Sequence, residues 1–253
     1  MSRTMKVPLF TILVFLVLFS VSFAKPHAVY QYSPLNSLMS GVYDGDKTIS
    51  EIEKYGDFGL GTVNGLDGEL VIIDGNAYQV RSDGKVVVLD GGTKVPFAQV
   101  CFFEPQKSFV VYGEVSLESA KAFIDSKLDS ENVFQAVKIK GIFSYIKARS
   151  VPKQAKPYIP LAEAIKKQSV FEFVTAEGEV IGFRQPDYIK EINTPGYHFH
   201  FLSKDRMSGG HVLDLRIISA EVTTDPINEY NVEFPKDEDF LKKDLSGGLQ
   251  YKP

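Results

Sequence analysis

Three of the four histidines in this 253-residue chain lie within fourteen positions, at His198, His200 and His211. Their spacing restricts how the backbone between them can run. His198 and His200 are two apart, and on a strand that puts both imidazoles on one face. Ser203 to Gly210 is polar and carries a Gly-Gly pair, which reads as a turn. Val212 to Ile218 reads as the returning strand. A turn centred between Asp205 and Arg206 sets His211 directly opposite His200, and opposed residues of a hairpin share a face. A lone His-x-His pair is usually only hydrogen-bonded. The third histidine, returned by the turn, makes three neutral imidazoles converge from two adjacent strands. That is the protein half of a catalytic zinc site with positions left open. The fourth histidine, His27, reads as an ordinary tail residue.

The amino terminus reads as a secretory signal. Arg3 and Lys6 form a basic start, Leu9 to Phe19 is almost wholly apolar, and Ser22-Phe23-Ala24 offers small residues for cleavage after Ala24. An uncleaved anchor competes with this reading, but the apolar run is marginal for spanning and contains Pro8. Removing residues 1–24 takes the formal net charge from −4 to −6. An acidic, exported chain without a basic patch argues against nucleic acid as a partner, and after cleavage no membrane attachment is expected. Whether the exported protein is periplasmic or secreted is open. Cys101 is the single cysteine, so no internal disulfide can form. Its apolar neighbours, Phe97 to Phe103, read as a buried strand, which makes it a packing residue. Stability then rests on core size and on oligomerisation.

Along the chain, Lys25 to Asp46 reads as a partly ordered lead-in, and Thr48 to Tyr55 as a short helix capped by Thr48 or Ser50. Strands follow at Phe58–Val63, Glu69–Asp74, Ala77–Arg81, Val86–Leu89, Val95–Phe103 and Ser108–Val115, with turns at Asn64–Gly68 and Ser82–Lys85. Leu117 to Lys127 has helical spacing with Ser116 as cap, and Val133 to Ala148 is extended. A proline-rich, cationic break spans Arg149 to Pro160. Leu161 to Gln168 is a short helix. Further strands are expected at Val170–Thr175, Glu179–Phe183, Tyr197–Leu202, His211–Val222 and Glu229–Phe234, and a helical turn at Phe240-Leu241. The expected architecture is α/β with α+β character: two β-sheet-based domains with a few short helices. The break suggests a division into residues 25–155 and 156–253.

Two further stretches stand out. Glu69 opens an apolar strand after a turn, at the rim of a sheet, where it either reaches a cleft or is simply solvated. Arg149 ends a strand at the proline-stiffened loop, where it either clamps a carboxylate in bidentate fashion or stays a surface cation. The segments GLGTVNGLDGELVIIDGNAY, IKARSVPKQAKPY and PGYHFHFLSKDRMSGGHVLD carry these residues and the histidines. In sequence, order and separation they resemble the acetolactate decarboxylase family, from about Gln31 to Asp225. The resemblance implies a zinc enzyme that converts 2-acetolactate to acetoin and carbon dioxide, commonly a homodimer, with its site between two sheets. It places the zinc ligands on His198, His200 and His211, the metal-side glutamate on Glu69, the active-site arginine on Arg149 and a threonine on Thr62. Members also supply a glutamate from the carboxyl-terminal tail. After Asp239 this chain has none, which leaves Asp244, water or a tail lying elsewhere. Two readings from other classes compete: an exported protein that only binds metal, and a cupin-type metal enzyme using iron or manganese.

Overall fold

The computed structural model describes residues 26–246. The expected signal segment and its cleavage point at Ala24 lie outside the described residues, as does the end of the tail from residue 247. Fourteen strands and five short α-helices make up the described chain. Seven strands form one sheet: β1 (Ala28–Tyr32), β3 (Phe58–Thr62), β4 (Glu69–Ile73), β5 (Asn76–Val80), β6 (Val86–Val88), β8 (Phe97–Cys101) and β14 (Glu229–Glu233), in the order β14-β1-β8-β3-β4-β5-β6. Five form the other: β9 (Lys107–Ser116), β10 (Phe134–Ser150), β11 (Ser169–Gln185), β12 (Gly196–Ser203) and β13 (Gly209–Ile227). β13 pairs with both β12 and β10, so these strands and β11 close on themselves and present fewer unpaired backbone groups, while β9 pairs with β13 alone and forms an edge. A short pair, β2 (Lys47–Thr48) with β7 (Lys94–Val95), completes the sheets.

Local chemistry explains most element boundaries. α2 (Ile49–Ile52) starts at a capping box, in which Glu51 accepts from the Thr48 N–H, while the Ile49 and Ser50 N–H groups donate to the Thr93 and Gly91 carbonyls. α3 (Leu117–Asp125) starts where the Ser116 hydroxyl accepts from the Ser119 N–H, and its buried Leu117, Ala120 and Ile124 repeat at helical spacing. α5 (Glu238–Lys242) is capped by Asp237. The short α4 (Leu161–Ala164) passes into a 3₁₀ turn, Ile165–Lys167.

The main core lies between the two sheets. It joins Phe58, Leu60, Val71 and Phe97 of the first to Phe134, Ile181, Phe183 and Leu202 of the second. A second core fills the closed sheet under α3, around Phe143, Ile146, Phe201 and Leu215.

Four expectations change. The lead-in is an ordered part of the first sheet: β1 is buried along its whole length, between β14 and β8, and α1 (Leu35–Met39) follows. Both faces of β1 are covered, so it lacks the polar alternation of a half-exposed strand. His27 is tied to this structure, its Nε2 lying 2.8 Å from the buried Asp225 Oδ1. The expected strands at Val170–Thr175 and Glu179–Phe183 are one continuous strand, β11, because β10 pairs with it over its full length. The sheets do not divide at residue 155: β9 and β10 precede it yet belong to the second sheet, and β14 follows it yet pairs with β1. Among the described residues no helix is long and apolar enough to cross a membrane.

Candidate metal centre

The β12–β13 hairpin turns as the spacing requires. His200 pairs with His211 across the ladder, and His198 projects from the same face of β12. The three rings lie 4.9–5.3 Å apart, centre to centre, and one nitrogen from each falls within 4.8 Å of the others. The next ladder extends the set. Arg149 on β10 is directly opposite His211. From the facing sheet, Glu69 opens β4 and pairs with Thr62 at the end of β3. The two sheets are tied at this point by the His200 Nδ1–Leu70 carbonyl hydrogen bond, 2.8 Å. Glu69 Oε2 then lies 3.5 Å from His200 Nε2. The turn before Glu69 is held by backbone bonds from Gly68 N–H to Val151 and from Gln154 N–H to Gly65. Gly68 sits at φ +79°, and a Cβ there would fall 2.2 Å from the Val80 carbonyl, so the turn requires glycine.

Charge and proton positions follow from burial. A carbonyl cannot donate, so the Leu70 bond fixes the proton of His200 on Nδ1 and leaves a lone pair on Nε2. Nε2 of His200 and Nδ1 of His198 are buried without a hydrogen-bond partner. Desolvation, reinforced by the nearby Arg149 cation, pushes His198 down to about 4 and holds His200 and His211 well below the usual histidine range. All three imidazoles are therefore neutral at pH 7. Desolvation pushes Glu69 the other way, up to about 7, against the opposing pull of Arg149 and the Val151 N–H. Orphaned, neutral nitrogens beside a buried carboxylate fit a divalent metal, because coordination supplies the partners that the protein does not.

His198, His200, His211, Glu69, Arg149 and Thr62 all line one pocket between the sheets. Leucines and a methionine share its lining with these polar groups, the mixed surface of a small-molecule site. The alpha-acetolactate decarboxylase family model matches residues 29–247. The chain belongs to the alpha-acetolactate decarboxylase family. It is 45% identical over 222 residues to the alpha-acetolactate decarboxylase of Methanosarcina mazei, covering 88% of this chain and 77% of that one. It is 42% identical to that of Bacillus subtilis over 86% of this chain and 85% of that one. The crystal structure of alpha-acetolactate decarboxylase from Bacillus subtilis strain 168 superposes with a TM-score of 0.86 at 41% identity, covering 87% of this chain and 94% of that one. As a member of this family the chain is a lyase, and a cupin-type jelly roll is set aside.

Thr62 of this decarboxylase donates its hydroxyl proton to the Gly68 carbonyl, 2.7 Å. Its proton is thus engaged by the turn, and toward a molecule in the pocket the hydroxyl can serve as acceptor. Asp244 lies exposed and accepts from Ser246; residues 247–253 lie outside the described residues. The sequence reading missed the apolar walls, Leu35, Leu38 and Met39 of α1 with Leu161 and Ile165 around α4, and the polar Thr194 and Tyr197 that share the lining. The i, i+3, i+4 spacing of Leu35, Leu38 and Met39 was the available signal for α1. It spans little more than one turn, too short to separate from loop.

Proposed function

We propose that this chain decarboxylates 2-acetolactate to acetoin and carbon dioxide in the pocket between its sheets, with zinc as the resident metal. The observation that carries the reading is the convergence of three neutral imidazoles, two with orphaned nitrogens, on a buried carboxylate and an arginine. Zinc suits three nitrogen donors with an oxygen donor. When bound, it supplies a Lewis acid that draws electron density from the substrate's oxygens.

The substrate is a β-keto acid with a tertiary hydroxyl. Loss of carbon dioxide breaks the bond from the carboxyl carbon to the hydroxyl-bearing carbon. The electron pair left behind conjugates with the ketone as an enediolate. Arg149 orients the departing carboxylate and balances negative charge as it shifts to the ketone oxygen. One contact of this kind is worth roughly 3–4 kcal/mol, about two to three decades of rate. Glu69, pushed up to about 7 in the metal-free protein, is ionised in the loaded site, where its carboxylate accepts a proton and returns it. The Thr62 oxygen accepts from the substrate's hydroxyl. Leu35, Leu38 and Leu161 exclude water and receive the two methyl groups. Delivery of a proton to one face of the carbon that lost carbon dioxide gives a single acetoin enantiomer.

Incubation of the purified chain with racemic 2-acetolactate, with chelator and then with zinc re-addition, tests this reading. Acetoin formation should stop with chelator and return with zinc. No acetoin from folded, zinc-loaded protein would leave a metal-binding protein. Activity restored only by iron or manganese would overturn the choice of metal.

Export and a homodimeric state belong to the same proposal. Export is supported by the basic and apolar pattern of residues 1–24. A homodimer is supported by exposed apolar residues on the closed sheet, where Tyr112 and Ile142 flank Ser219 in one cross-strand row.

A further inference from the structure

Arg149 is fixed along its backbone, and its buried side chain is held at one corner only. Its main chain is laddered on both sides, to His211 of β13 and to Val170 of β11. Its guanidinium stands at the end of three rotatable bonds beyond Cβ, and orientation decides what such a group can do. Nη1 donates to Gln168 Oε1 at 2.9 Å. Nε is buried and has no partner. One corner of the planar fork is therefore held from behind, while another donor waits for an acceptor.

The ladder explains why Gln168 is in reach. Arg149 pairs with Val170, so Gln168, two residues earlier, is its diagonal neighbour on the same face. The Gln168 backbone is placed from both directions. Its N–H closes the 3₁₀ turn onto the Ile165 carbonyl at 3.0 Å, and the next residue, Ser169, begins β11 opposite Ser150. Leu161 and Ile165 of this same short segment form part of the pocket wall, whereas Gln168 does not line the pocket.

We infer that Gln168 is a positioning residue for the decarboxylation. It holds Arg149 Nη1 so that the Nε edge of the guanidinium faces the substrate's carboxylate. The inference rests on the reading of Arg149 given above. It separates two things that Arg149 does: its charge attracts the substrate wherever the fork points, while its alignment serves the reacting carboxylate.

Gln168→Met is close in shape to the wild type and lacks the acceptor. In the full, metal-loaded chain it should lower kcat about tenfold to a hundredfold, the cost of misplacing a group by ~1 Å. KM should change less than about twofold, because the cation remains. Metal content and thermal midpoint should stay at wild-type values. In an Arg149→Lys background, which has no fork to orient, Gln168→Met should cause no further loss. An unchanged kcat in Gln168→Met, alongside a slowed Arg149→Lys, would overturn the positioning role and leave the reading of Arg149 standing. So would an undiminished second loss in the double variant. A raised KM with a lowered thermal midpoint would assign Gln168 to the pocket wall instead. Full activity of Arg149→Lys would overturn the reading of Arg149 itself, and the inference with it.

Discussion

Burial at the candidate metal centre acts on its ionisable side chains in opposite directions, and each direction has a consequence in pH. In the metal-free protein His198 is held down to about 4, against about 6.5 unfolded. The folded state binds fewer protons, so this contribution is intact above about 6.5 and is lost as pH falls through 4. His200 and His211 act with the same sign. Glu69, raised to about 7, acts oppositely: its contribution is present below about 4.5 and fades as pH rises through 7. Three histidines outweigh one glutamate, so the thermal midpoint of the chelated protein should fall on acidification from pH 7 to 5. A rising midpoint would mean that the imidazoles are not desolvated. Metal binding near pH 6 should expel a proton from Glu69 and few from the histidines. Titration calorimetry in buffers of different ionisation enthalpy counts that release, and Glu69→Gln should abolish it. Thr62→Val should cost about 1–3 kcal/mol, because it removes a donor from a buried carbonyl, as read from chemical unfolding.

The β12–β13 hairpin carries most of what the site needs, and its register tolerates little change. A slip of one residue would turn His198 and His200 to the opposite face. Gly210 sits next to His211 at φ +140°, and a Cβ there would lie 2.6 Å from the Arg149 carbonyl. Gly210→Ala should therefore cost about 1–3 kcal/mol in backbone strain and move two site residues, His211 and Arg149. Reduced metal affinity together with reduced denaturant stability is the expected outcome; wild-type affinity would show that the hairpin adapts. This element was legible in the sequence because turn residues and paired histidines state the register outright. α1 and β1 were not. β1 buries Gln31 completely in side-chain bonds to Asn193 and Tyr230. A polar residue satisfied by distant partners gives no local sign of being core.

Across the whole molecule, the site draws His198, His200, His211 and Arg149 from the closed sheet and Glu69 and Thr62 from the open one. Most strands after β1 could be read from alternation and turns. The partition into sheets could not, because it depends on pairings such as β1 with β14, some 200 residues apart in sequence. The site's polar residues were legible because metal and carboxylate chemistry needs particular side chains. Its walls were not, because leucine and methionine line cores and pockets alike. A ligand shared by two sheets should stabilise both. Metal at a thousandfold over its dissociation constant adds about 4 kcal/mol, and the rise in thermal midpoint should vanish in His211→Ala. The most direct measurement pairs metal content with acetoin turnover in the wild type, His198→Ala and Arg149→Ala. The wild type should hold metal and turn over, His198→Ala should do neither, and Arg149→Ala should hold metal with turnover down by about two to three decades. Full turnover in a metal-free His198→Ala protein would contradict the account.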